Sequence, residues 1–187
     1  VLMSTDPVFI RYAGVSGFDT AFLFGLFTAI SMPIVLQFSD GRGLLGAVKE
    51  SGWALVFAGL LMLGSASGLV FSIKMTSIAN TFVILSATPA MAAVFSWLFL
   101  REMTSRSTWF AIAAVMIGIT IVVSGSLGSG NWLGDVLALF SVLCLSLLFT
   151  LLRKYQDVSR LASVGSGALL LAVVMLFFAT PSSYNIN

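Results

Sequence analysis

Apolar residues run along this chain in six long blocks, each closed by a short polar or glycine-rich connector. The blocks fall near residues 18–38, 53–73, 78–100, 109–127, 132–152 and 161–180. Each is close to the length of about 20 residues that a helix needs to cross a hydrocarbon core. The apolar positions show neither the one-sided stripe of a surface helix nor the alternation of a half-buried strand. The connectors read Ser39-Asp40-Gly41-Arg42-Gly43, Lys74-Met75-Thr76-Ser77, Arg101-Glu102-Met103-Thr104-Ser105-Arg106, Gly125–Gly130 and Arg153-Lys154-Tyr155-Gln156-Asp157. These are turn formers and charges, as helix hairpins require. The segment before Tyr12 fits the tail of an earlier helix, and both ends of the sequence suggest a fragment.

Composition makes lipid the solvent. Charged residues are 9% of the 187 and the hydrophobic set is 59%, against roughly 25% charged in soluble domains. The net charge of +2 reflects membrane topology and needs no nucleic acid. Taking alternate connectors on opposite sides, Arg42, Lys49, Arg101, Arg106, Arg153, Lys154 and Arg160 fall together, leaving only Arg11 and Lys74 of the nine basic residues for the other side. The basic side is expected to be cytoplasmic and to attract anionic headgroups. Trp53, Trp109 and Trp132 stand at block starts, where indoles suit the membrane boundary. Trp97 lies deeper and reads as packing.

Candidate chemistry is sparse. The chain has no histidine and a single cysteine, Cys144, which reads as small packing material. Neither a catalytic residue, a metal site nor a cofactor is expected. Hydroxyls at Ser65, Ser67 and Gly165-Ser166-Gly167 lack a histidine base, which argues against an intramembrane enzyme. Gly64 and Gly68 form a GxxxG extended by Ser72, and Ala114 and Gly118 repeat the spacing, both suited to close helix packing. Pro33 and Pro89 sit inside blocks and predict helix kinks, either hinges of a moving part or static bends. Around Pro89, Ser77, Thr81, Thr88, Ala92 and Ser96 share one helix face bordered by Asn80. In lipid such a stripe faces either a wet path or other helices. Charges avoid block centres. Asp135, in the first turn of its block, either complements the helix dipole or binds a proton or cation. Asp19 occupies a similar place, and Glu102 stands four residues before Arg106, a pair if the helix continues.

Three runs carry a family likeness: Thr76-Ser77-Ile78-Ala79-Asn80-Thr81, Thr88-Pro89-Ala90-Met91-Ala92-Ala93 and Trp97-Leu98-Phe99-Leu100-Arg101-Glu102. With Ile117-Gly118-Ile119 and the link Gly128–Gly134, their order resembles the EamA-like branch of the drug/metabolite transporter superfamily. The resemblance implies an all-α polytopic membrane protein of ten helices in two inverted five-helix repeats, of which this chain holds about helices 2–7. Residues 1–130 would be a first repeat lacking most of its first helix, and 131–187 the beginning of a second. At an offset of 142, Phe9-Ile10-Arg11 lies over Leu151-Leu152-Arg153 and Gly25 over Gly167, as a weak internal repeat. Phe24 departs from the pattern, standing where members often carry an arginine.

The resemblance further implies a secondary transporter, an exporter of small organic metabolites, amino acids or drug-like compounds, working by alternating access in the inner membrane of a bacterium. It nominates Ser72, Asn80, Thr81, Thr88 and Ser146 for the substrate cavity. The alternative is a non-transporting membrane scaffold or assembly subunit. Expected partners are the lipid bilayer, a small-molecule substrate and, in one assembly, a second copy of the chain as a homodimer.

Overall fold

A computed structural model describes residues 16–39, 43–103, 105–127, 132–156 and 158–178, with the backbone alone at 39, 43–51 and 126–127. Every regular element among them is helical. In chain order these are α1 (Gly17–Ser39), α2 (Gly43–Met75), α3 (Ile78–Leu85), α4 (Thr88–Phe95), a π-helical turn (Ser96–Leu100), α5 (Arg106–Leu127), α6 (Trp132–Lys154) and α7 (Arg160–Leu176). Five stretches are long and apolar enough to cross a membrane: Gly17–Phe38, Gly52–Met75, Ile78–Leu100, Arg106–Gly125 and Trp132–Lys154. The sixth predicted block forms α7, with 17 helical residues, about 26 Å at 1.5 Å per residue, slightly short of a hydrocarbon core of about 30 Å. Phe27, Phe38, Trp53, Phe110 and Ile121 are among the many exposed apolar side chains. Such a surface suits an acyl-chain environment rather than water.

Lipid is as apolar as leucine, so burial alone does not hold helices together there; close backbone contact and hydrogen bonds do. The centre of the bundle is α2, packed on α6 along one face and on α7 along another, while α7 also packs along α1. Gly64 and Gly68 turn out to face α6. A Cβ on Gly64 would stand 2.9 Å from Cys144 Sγ, and one on Gly68 2.9 Å from the Leu137 carbonyl oxygen. Cys144 is indeed buried packing material. Gly25 brings α1 against the α7 backbone, 2.8 Å from the Ala172 nitrogen by the same measure. The stacked rings of Phe18 and Phe178, 5.6 Å apart, join the start of α1 to the far end of α7 and make the pair antiparallel. By contrast Ala114 is exposed and nothing lies within 4 Å of a Cβ on Gly118. That second small-residue pair meets no helix among the described residues.

Three breaks punctuate the helices. Gly52, at φ 52° and ψ −139°, divides α2; this region is open essentially to glycine alone, so residues 43–51 form a separate helical piece. Pro33 sits within an uninterrupted α1. Pro89 does more than bend a helix: α3 ends at Leu85 and Pro89 occupies the first turn of a new helix, α4, where its missing N–H matters least. The π turn then ends at Arg101, which adopts a left-handed conformation at φ 56°. That reversal overturns the Glu102–Arg106 expectation, because helix i,i+4 spacing no longer applies. Glu102 pairs instead with Arg153 at the end of α6, at 3.0 Å.

Helix starts follow their side chains. Ser16 and Asp19 form a reciprocal cap: Ser16 Oγ donates to Asp19 Oδ2 at 2.6 Å and accepts from the Asp19 N–H at 3.1 Å. Buried Asp19 thus serves the N-terminus of α1. Ser77 caps α3 by accepting from the Asn80 N–H at 3.0 Å, and Ser159 caps α7 through the Ala162 N–H. The residues of the internal match, Phe9-Ile10-Arg11, lie outside those described.

Candidate functional site

Many of the buried polar side chains lie along the seam where α6 meets α2, α3 and α4, while Asp19, Thr20 and Ser163 are buried on α1 and α7. At the upper end of that seam, away from the arginine-rich ends of the helices, Thr76 follows the last residue of α2 and Asp135 lies in the first turn of α6. Thr76 Oγ1 donates to Asp135 Oδ1 at 2.8 Å. Gly134 makes this contact reachable, since a Cβ there would sit 2.7 Å from both Cβ and the backbone nitrogen of Thr76. Asp135 is fully buried, and its Oδ2 has no hydrogen-bond partner.

Descending the seam, Ser72 and Thr81 share a buried hydroxyl–hydroxyl bond of 2.8 Å between α2 and α3. Ser141 Oγ donates to the Ser65 carbonyl oxygen at 2.8 Å and lies 3.2 Å from its hydroxyl, tying α6 to α2. Ser146 Oγ donates to the Thr88 carbonyl oxygen at 3.0 Å, tying α6 to α4. Thr88 also repairs the break at Pro89. Without an N–H at residue 89, the Leu85 carbonyl lacks its helical donor, and Thr88 Oγ1 supplies one at 2.6 Å. A neighbouring hydroxyl is a common remedy where proline interrupts a membrane helix.

The structure therefore places Ser72, Thr81, Thr88, Ser146 and Asp135 at separate buried contacts among α2, α3, α4 and α6. Ser72, Thr81, Thr88 and Ser146 are buried with their hydroxyls engaged by neighbouring backbone or side chains. Asn80 is half-buried at the edge. Pro89 itself is exposed on the outer face, while Pro33 lies beside Gly165 of α7, away from the seam. Sequence reading passed over Thr76, taken as part of a connector, and Gly134, taken as the end of a glycine-rich link. The available signal was the Gly134-Asp135 dipeptide at a helix start. It pairs a residue permitting close approach with one that needs a partner when buried.

Beside an open cavity of about 370 Å³ at Trp97, Leu98, Arg101, Glu102 and Met103, two more lie away from the seam, toward the arginine-rich ends of the helices. One, about 680 Å³, is lined by α2, α6, the following connector and α7. The other, about 380 Å³, is lined by Trp53, Phe57, Phe99 and the end of α6. Among the described residues no cluster of histidine, cysteine or carboxylate side chains could hold a metal.

A family model described as the EamA-like transporter family matches residues 1–124, about two thirds of the chain. No curated protein and no solved structure matches it. The all-helical, multi-pass bundle and the family match agree, and the chain belongs to the EamA-like transporter family of the drug/metabolite transporter superfamily.

Proposed function

We propose that the protein is a secondary transporter, working outward, that moves small organic metabolites, amino acids or drug-like compounds by alternating access. In this reading it resides in the inner membrane of a bacterium. Its α1, α2, α3–α4, α5, α6 and α7 are helices 2–7 of a ten-helix inverted repeat, with one repeat over residues 1–130 and the next beginning at 131. Membership in a family of drug/metabolite transporters supports the general activity.

The observation that carries the reading is Asp135. A fully buried carboxylate with one oxygen unpartnered is costly in a bilayer and marks a functional position by default. Its Oδ2 offers an acceptor for a proton or a cation, beside a seam of exchangeable hydroxyl bonds. Seams of this kind, worth about 0.6–1.7 kcal/mol per bond, can part and re-form during a transport cycle. Ser72, Asn80, Thr81, Thr88 and Ser146 then line the path when the helices separate, and the break before Pro89 gives α4 freedom to move against α3.

Flux of a panel of amino acids and metabolites in vesicles carrying the full-length protein, with and without a pH gradient, tests this. Gradient-dependent flux that is lost in Asp135→Asn, which keeps the shape and the acceptor for Thr76, is expected. Absence of gradient-dependent flux for every compound would favour the scaffold alternative. Cysteines at positions 81 and 88 should react with water-borne reagents during turnover; if neither is labelled in any condition, the seam is packing alone.

A further inference from the structure

The larger cavity is a candidate site of a different kind. Its floor is apolar, formed by Met62 of α2 with Leu145, Leu148, Phe149 and Leu152 of α6, while its rim carries Arg153, Gln156 and Arg160. Two arginines thus line one cavity, at the end of α6 and the start of α7. Arg153 is held at 3.0 Å by Glu102. Arg160 has no carboxylate partner among the described residues. Lys154 sits 5.6 Å from the Tyr155 ring centroid, and Tyr155 packs edge-on against Trp53 at 5.7 Å, the amphipathic rings that favour the headgroup layer.

We propose that this cavity binds an anionic phospholipid, its phosphate between Arg153 and Arg160 and the upper part of an acyl chain along Leu145, Leu148, Phe149 and Leu152. Charge and shape both select this occupant. A guanidinium pair matches phosphate oxygens in fork geometry. A volume of about 680 Å³ is in the range that encloses a drug-sized molecule, far more than a bare phosphate fills. The apolar floor repels a fully hydrated anion and welcomes a chain. Basic pockets between helices on the cytoplasmic side have the chemistry to hold such headgroups, and this is the side on which the sequence concentrates its positive charge. Glu102 acts as a built-in competitor that occupies Arg153 until a headgroup arrives. The site does not depend on what the protein transports.

The test is native mass spectrometry of the detergent-purified full-length protein with phosphatidylglycerol and phosphatidylcholine of equal chain length. The wild type should retain phosphatidylglycerol preferentially. Arg160→Gln and Arg153→Gln should each lower that preference about fivefold, Arg160→Lys should keep most of it, and Glu102→Gln should raise it. Lys74→Gln, at the opposite end of α2, should leave it unchanged. Equal retention of the two lipids by the wild type, or an unaltered preference in Arg160→Gln, overturns the proposal. So does displacement of phosphatidylglycerol by millimolar inorganic phosphate, which would make the cavity a site for soluble anions.

Discussion

Replacing Gly134 by alanine and Gly118 by alanine makes the same chemical change in two helices of one bundle, and the structure predicts opposite signs. At Gly134 the new methyl group would stand 2.7 Å from Cβ and the backbone nitrogen of Thr76, and 3.0 Å from the Met75 carbonyl carbon. Carbon contacts prefer about 3.5–4.0 Å, so α6 must back away from the end of α2 by close to 1 Å. The neighbours are mostly backbone atoms and cannot rotate aside. Retreat by that much takes the 2.8 Å bond between Thr76 and Asp135 beyond useful hydrogen-bond length. Overpacking costs about 1–3 kcal/mol, and loss of a hydrogen bond to a buried carboxylate about 1.5–3 kcal/mol, for a combined loss of roughly 2–5 kcal/mol if the two are only partly additive. At Gly118 nothing lies within 4 Å of the new methyl group. Alanine there gains about 0.5–1 kcal/mol from helix preference. Thermal unfolding of both variants in one detergent, with reversible unfolding in mixed micelles for the free energies, checks the pair. A wild-type melting temperature for Gly134→Ala would show that the seam's upper end yields freely, and would refute the reasoning.

Thr88→Val keeps the shape but removes the donor to the Leu85 carbonyl; it should cost about 0.6–1.7 kcal/mol, measured by unfolding in micelles, with Thr88→Ser close to wild type. Gly52→Ala forces a side chain into φ 52°, ψ −139° and should cost about 1–3 kcal/mol, although the site has open space around it; an unchanged stability would mean the break relocates. Glu102→Gln removes an ion pair whose side chains are 38% and 62% exposed, so stability measured in lipid-free detergent should change by about 1 kcal/mol or less.

The membrane class and the helix positions were legible because each span needs a long unbroken apolar run, and nothing else in folded proteins requires one. The GxxxG at Gly64 and Gly68 was legible as a contact, though not its partner. Its partner lies about seventy to eighty residues away in sequence, and small residues carry no address. The Pro89 break was read as a bend. Whether a proline bends a helix or starts a new one depends on local compensation, here the Thr88 hydroxyl, which stripe counting assigns to a face without revealing its acceptor. Gly52 left no clear trace, since a glycine beside a tryptophan at a membrane boundary reads as an ordinary helix start. The seam itself was half visible. Ser72, Thr81, Thr88, Ser146 and Asp135 could be nominated from their types and the family pattern, but Thr76 became meaningful only once a carboxylate was seen against it.

The family model ends at residue 124, within α5, yet the packing ignores that limit. The chief neighbour of α1 is α7, and α2 lies between α6 and α7, so the first two described helices find their partners among the last two described. This has a consequence for biogenesis. Until α6 and α7 enter the bilayer, Ser65 and Gly68 lack the contacts that α6 gives them, and α2 must wait in lipid or beside the insertion machinery with much of its polar face uncovered. Ribosome-nascent chains stalled before α6 should therefore be degraded or held by membrane chaperones far more readily than chains stalled after α7.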